Sequence, residues 1–82
     1  MKILVTGVNG QLGHDVINEL AARGHEGVGS GASAAYHGVA DGTAAATGPY
    51  VQMDITNETE VRAVLGKIRP DGVIHCAAWT AV

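Results

Sequence analysis

Ile3-Leu4-Val5-Thr6-Gly7-Val8-Asn9-Gly10-Gln11-Leu12-Gly13 decides how the rest of this chain is read. Ile3-Leu4-Val5 is a short apolar run that stops at Thr6-Gly7, as a strand buried on both faces would. From Gln11 to Arg23 the apolar residues Leu12, Val16, Ile17, Leu20 and Ala21 recur at helical spacing, and Gly24 is placed to end the helix. Gly7, Gly10 and Gly13 therefore fall between a strand and a helix. The chain holds 12 glycines, so their spacing alone is weak evidence, and the flanking elements give it meaning. In that setting one glycine permits a tight turn, one lets the backbone approach a pyrophosphate, and one lets the helix pack on the strand. Phosphates would sit at the helix N-terminus, where unpaired N–H groups and the helix dipole favour negative charge without a lysine. A purely structural turn is the competing reading, and element order favours the dinucleotide site.

Beyond the helix, His25-Glu26-Gly27-Val28-Gly29 falls where a second parallel strand belongs, although its glycines give a strand little to pack. Positions 29–48 are mostly Gly and Ala with almost no large apolar residue, which predicts a long loop with room for one helical turn. Tyr50-Val51-Gln52-Met53 reads as a brief third strand ending at Asp54-Ile55-Thr56. Asn57 is a good N-cap with Glu60 in the capping-box position, and Val61, Val64, Leu65 and Ile68 trace one helix face up to Arg69-Pro70. Asn57-Glu58-Thr59 also matches a glycosylation acceptor, but the helix start explains it. Gly72-Val73-Ile74-His75-Cys76-Ala77-Ala78 has the look of a fourth buried strand. Strand, helix, strand, loop, strand, helix, strand with right-handed crossovers predicts an α/β fold: a partial, Rossmann-like doubly wound parallel sheet of order 3-2-1-4.

An acidic residue about 20 positions past the glycine loop, at the end of strand two, would hold the adenosine ribose of NAD. Ser30-Gly31-Ala32-Ser33 stands there instead, Glu26 comes too early, and the next acid is Asp41. No arginine lies between Arg23 and Arg62 to clamp the 2′-phosphate of NADP. NADH and NADPH are therefore expected to be weakly discriminated, with Ser30, Ser33 and nearby backbone N–H groups as substitute partners. Asp54 ends strand three beside the groove, where accepting a bond from an adenine amino group and capping the following helix are equally open roles. Ala77, Ala78 and Thr80 follow strand four at the carboxyl edge, where small residues would let a cofactor lie against the backbone. Trp79 is open to two readings, a stacking platform or the cover of an apolar edge. His75 and Cys76 are adjacent and face opposite sides of a strand, so no metal site is expected.

Composition excludes several classes. Five Lys and Arg residues in 82, scattered through a chain of net charge −3, cannot build the basic face of a nucleic-acid binder. No apolar stretch approaches the roughly 18 residues of a membrane span, and the opening Met1-Lys2-Ile3-Leu4-Val5 meets glycine too soon for a signal peptide. The single cysteine forms no internal disulfide and fits a reducing compartment, so a cytoplasmic location is expected. A chain of this size buries only somewhat more than roughly 60% of its unfolded surface, so its core is thin. The unpaired edge of strand four predicts self-association.

Together, Val5-Thr6-Gly7-Val8-Asn9-Gly10-Gln11-Leu12-Gly13, Met53-Asp54-Ile55-Thr56 and Arg69-Pro70-Asp71-Gly72-Val73-Ile74-His75-Cys76-Ala77-Ala78-Trp79-Thr80-Ala81-Val82 closely resemble the dTDP-4-dehydrorhamnose reductase family of extended short-chain dehydrogenases/reductases. Gly-Gln-Leu-Gly combined with Ala-Ala-x-Thr-Ala-Val is the more specific part. The resemblance implies an oxidoreductase of nucleotide-sugar and carbohydrate biosynthesis that reduces dTDP-4-dehydro-L-rhamnose to dTDP-L-rhamnose with NADPH or NADH. Its cofactor contacts map onto Gly10, Gln11, Leu12, Asp54, Ile55, Ala78, Trp79 and Thr80. The family commonly carries an aspartate where this chain has Ser30-Gly31.

Short-chain dehydrogenases protonate the substrate oxygen with a tyrosine whose pKa is lowered by a lysine four residues later. Tyr36 is followed at that distance by Ala40 and Tyr50 by Asp54, and the lysines are Lys2 and Lys67. Residues 1–82 are thus expected to be the N-terminal portion of an NAD(P)-binding domain, without turnover of their own and with no catalytic residue among them. The sugar-binding part, and any magnesium site of the full-length enzyme, would lie beyond Val82. A non-catalytic dinucleotide-binding subunit, of the kind that regulates methionine adenosyltransferase and resembles the same family, is the alternative.

Overall fold

The structure, a computed structural model, describes residues 1–38 and 41–76. Its elements run β1 (Lys2–Thr6), α1 (Gln11–Ala22), β2 (Glu26–Gly31), α2 (Ala44–Thr47), β3 (Tyr50–Gln52), α3 (Glu58–Ile68) and β4 (Gly72–His75). The four strands form one sheet in the order β3-β2-β1-β4, with every pairing parallel. The expected doubly wound order is therefore present. Register aligns Thr6 of β1 with Ser30 of β2 and with His75 of β4, so their carboxyl ends share one edge.

Alternation along β1 divides the core. Ile3 and Val5 pack with Val8, Ile17 and Ala45 on the α1 side. Leu4 points the other way, joining Val28, Met53 and Val64 beneath α3. Because both layers meet at β1, its residues 3–6 are all buried, which is why the strand reads as a continuous apolar run.

β2 is longer than its sequence suggests, running to Gly31 instead of stopping at Gly29. Its glycines earn their place through close approach. A Cβ on Gly27 would come within 2.9 Å of Ile17 Cδ1, and one on Gly29 within 2.9 Å of both Val8 methyls. Bare backbone on this face of β2 admits the first helix and the glycine loop, so packing overrides weak strand propensity.

α3 begins as expected. Asn57 Oδ1 accepts the Glu60 amide at 3.1 Å. The reciprocal half of the box is redirected, because Glu60 Oε1 accepts from the Asp54 amide at 3.1 Å, while the Asn57 amide donates to the Asp54 carbonyl. The helix stops at Arg69, whose φ of 52° lies in the left-handed region. Pro70 follows, and a residue before proline is pushed out of the helical region. One expected helical turn in the long loop is α2.

β4 departs from expectation. Val73 and Ile74 are 50% and 38% exposed, although the run reads as a buried strand. β4 ends the sheet, paired with β1 alone among the described residues, and the two core layers centre on β1, β2 and β3. Its faces are consequently left at the margin. Cys76 extends the ladder by one bond, donating from its amide to the Thr6 carbonyl at 3.1 Å. The expected continuation through Ala77 and Ala78 lies outside the described residues.

Candidate functional site

The loop after β1 is built by its own backbone. Gly7 has a φ of 72°, a conformation that costs a side chain dearly. The Gly10 amide donates to the Gly7 carbonyl at 3.1 Å, and the Val8 amide donates to the Ser30 carbonyl at 3.1 Å, pinning the turn against β2. Gly13 is fixed by contact. A Cβ there would overlap the Gly7 carbonyl and stand 2.7 Å from Val8 Cα, and backbone cannot swing aside as a side chain can.

Gly10 is different. A Cβ on it would meet nothing nearer than the Gly7 carbonyl oxygen at 3.5 Å, an ordinary contact. Folding alone does not require glycine at this position, so the open space above it is available to a ligand. Gly10 is also the N-cap of α1, without a side-chain cap and with no acidic residue in the first turn. The amides of Gln11, Leu12 and Gly13 thus begin the helix uncapped, as an anion-binding N-terminus requires. Leu12 is 62% exposed, and Gln11 lends its side-chain amide to Asp15 Oδ1 at 2.9 Å.

Beside this loop, a recess of about 110 Å³ opens at the carboxyl ends of β1, β2 and β3, lined by Thr6, Gly7, Ser30, Gly31, Ala32, Met53, Asp54 and Ile55. The structure therefore brings Gly7, Ser30, Asp54 and Ile55 together around this recess, while Gly10, Gln11, Leu12 and Gly13 follow Gly7 into the start of α1 and are not among its lining residues. Ala77, Ala78, Trp79 and Thr80 lie outside the described residues. Ser30 is fully buried, and its hydroxyl donates to the Val5 carbonyl at 3.2 Å. The Ser33 carbonyl accepts from the Tyr50 hydroxyl at 2.7 Å.

Asp54 accepts from both the hydroxyl and the amide of Thr56 through one oxygen, Oδ1, at 2.7 and 2.9 Å. These two bonds hold its carboxyl below the usual carboxylate range. Turn-capping and a place on the recess wall are compatible, because a carboxylate has a second oxygen.

Two features escaped the sequence reading. Asp41, the first acid after Glu26, is drawn to His14, whose Nε2 lies 2.9 Å from Asp41 Oδ2, and to Thr43, whose hydroxyl donates to Asp41 Oδ1 at 2.6 Å. Asn9, inside the quoted loop, accepts from the His37 amide at 2.8 Å and reaches over Gly31. Neither carries a local signal, because both partners are distant in sequence. At the far end of the sheet, His75 Nδ1 pairs with Thr6 Oγ1 at 2.8 Å, and burial pushes the Cys76 thiol up, away from reactivity. Among the described residues no helix is long and apolar enough to cross a membrane.

A parallel sheet of order 3-2-1-4 with a glycine turn leading into an uncapped helix defines a Rossmann-like unit of the dinucleotide-binding class. More narrowly, the chain belongs to the family described as RmlD substrate binding domain, whose model matches residues 1–82. It is 33% identical over all 82 residues to a probable dTDP-4,6-dihydroxy-2-methyloxan-3-one 4-ketoreductase of Streptomyces antibioticus, spanning 22% of that protein. In structure it is similar to a UDP-glucose-4-epimerase from Stenotrophomonas maltophila with bound NAD and formylated UDP-arabinopyranose, with a TM-score of 0.78 and 30% identity, covering 100% of this chain and 26% of that one. It is also similar to the Bordetella bronchiseptica enzyme WbmH in complex with NAD+, with a TM-score of 0.72 and 26% identity, covering 98% of this chain and 26% of that one. The chain thus spans about a quarter of the length of these relatives.

Proposed function

We propose that residues 1–82 are the N-terminal, cofactor-binding portion of an NAD(P)H-dependent nucleotide-sugar reductase, and that the whole protein reduces dTDP-4-dehydro-L-rhamnose to dTDP-L-rhamnose. The observation that carries the cofactor reading is Gly10, a glycine the fold does not need, capping a helix whose first amides are uncapped. Family membership, the 4-ketoreductase relative and two NAD-bound structural neighbours support the same reading.

A nicotinamide dinucleotide, when bound, supplies the hydride. This chain's residues would bind and orient it. The amides of Gln11, Leu12 and Gly13 would take the pyrophosphate, Gly7 and Gly10 would let it approach, and Ser30, Gly31, Asp54 and Ile55 would border its adenosine half. Ala77, Ala78, Trp79 and Thr80 are proposed to extend the site on the strand-four side. With no Tyr-x-x-x-Lys pair in its sequence, the chain by itself is expected to turn over no substrate. A magnesium ion would belong only to the full-length enzyme.

Titration with NADH and NADPH, followed by the cofactor's fluorescence, tests the binding reading. Saturable binding of both is expected, with affinities within about 30-fold, roughly 2 kcal/mol. A larger preference would show that a selective ribose partner is present after all. Sequence beyond Val82 separates the reductase from a non-catalytic dinucleotide-binding subunit, since only the reductase needs a Tyr-x-x-x-Lys pair.

A further inference from the structure

The end of β2 carries no acidic side chain, and at position 31 a side chain would have to displace the ends of two neighbouring ones. A Cβ on Gly31 would stand 2.7 Å from Asn9 Nδ2 and 2.8 Å from the Tyr50 hydroxyl oxygen. The volume from which a ribose-binding carboxylate would project in related folds is therefore occupied by the carboxamide of Asn9, delivered from the glycine loop.

The orientation of that carboxamide is determined by its partner. The His37 backbone N–H can only donate, so the Asn9 atom 2.8 Å away must be the oxygen, Oδ1. Nδ2, with its two hydrogens, is left over Gly31, a residue that also borders the recess between Thr6, Ser30 and Asp54. Tyr50 backs the arrangement, with its own hydroxyl hydrogen spent on the Ser33 carbonyl at 2.7 Å.

We propose that Asn9 replaces the acidic ribose partner, presenting an uncharged N–H donor to the 2′ position of the adenosine ribose, so that a 2′-hydroxyl and a 2′-phosphate are both accepted. The inference rests on the dinucleotide reading above. A carboxylate there accepts from ribose hydroxyls and repels a phosphate, whereas an amide N–H donates to either oxygen. Cofactor tolerance then follows from one side chain whose orientation is set by the loop at residues 32–38.

Asn9→Asp is close to isosteric and keeps an oxygen for the His37 amide while changing the donor into an acceptor with negative charge. Asn18→Asp adds the same charge farther along α1, where Asn18 Oδ1 accepts the Ala45 amide. The ratio of NADH to NADPH dissociation constants is measured by fluorescence titration for the unaltered chain and both variants. Asn9→Asp is expected to shift the ratio at least tenfold toward NADH, with Asn18→Asp leaving it within about twofold. An unchanged ratio in Asn9→Asp, or an equal shift in Asn18→Asp, overturns the assignment of Asn9 while leaving the dinucleotide site intact. Failure of the unaltered chain to bind either cofactor removes the dinucleotide reading and this inference with it. Should Asn9→Asp not fold, the side-chain amide resonances of Asn9 in the unaltered chain answer the same question. They are expected to move on adding adenosine 2′,5′-bisphosphate, and no movement at saturation overturns the proposal.

Discussion

His14 Nε2 lies 2.9 Å from Asp41 Oδ2, joining the first turns of α1 to a segment 27 residues further along the chain. His14 is buried, and Asp15, Asp41 and the Thr43 hydroxyl surround its ring. Its pKa is raised above 6.5, chiefly by the hydrogen bond with Asp15 and then by Asp41, against the opposing effect of burial. Asp41 is lowered below 3.8, chiefly by the hydroxyl and amide of Thr43, with His14 adding a smaller effect.

These directions set a pH window. A raised histidine contributes stability that is complete below its unfolded value near 6.5 and is lost as pH rises through the folded value. The lowered Asp41 contributes above its unfolded value and loses that contribution as pH falls through the folded one. Melting temperature is therefore expected to fall from pH 6 to pH 8.5, and Asp41→Asn should flatten that slope. Thermal melts across this range check it, and identical slopes in both proteins would contradict the role given to Asp41.

Gly10 and Gly13 should separate stability from binding. Gly13→Ala places a methyl against the backbone of Gly7 and Val8 and is expected to cost about 2 kcal/mol or more in urea unfolding. Gly10→Ala meets only an ordinary contact, so its cost should stay within about 1 kcal/mol, the range for an N-cap change. Cofactor affinity is where Gly10→Ala should tell, with a loss of at least tenfold. Equal effects of the two substitutions on stability would contradict the separate roles assigned to these glycines.

The exposed strand β4 carries its own expectation. β4 pairs with β1 alone among the described residues, and its outer edge, with Val73 and Ile74 exposed, offers a template for a second copy. Light scattering at rising concentration should show association, and Ile74→Lys should reduce it. A clean monomer throughout would count against this.

What was legible in the sequence was local. Ile3-Leu4-Val5, the glycine spacing, the helix from Gln11 and the Asn57 cap each depend on neighbours within a few residues, and each is present. Strand order followed from the handedness of parallel crossovers. The end of β2 was harder, because Gly27, Gly29 and Gly31 look like weak strand residues until Ile17, Val8, Asn9 and Tyr50 are seen against their bare backbone. An apolar run such as Val73-Ile74 reports what a strand could bury, while its place at the sheet's margin decides how much it does. The Asn9–His37 bond, in which Asn9 accepts, and the His14–Asp41 tie depend on chain segments 28 and 27 residues away, beyond any periodicity.

Amide NMR of the 15N-labelled chain titrated with NADPH reads out whether the turn from Gly7 to Gly13 receives a dinucleotide pyrophosphate at the start of α1. A pyrophosphate seated there produces saturable shifts concentrated on the amides of Gly10, Gln11, Leu12 and Gly13, with smaller ones at Gly31 and Asp54. Shifts absent from the loop at millimolar cofactor, or confined to residues remote from it, would rule that placement out.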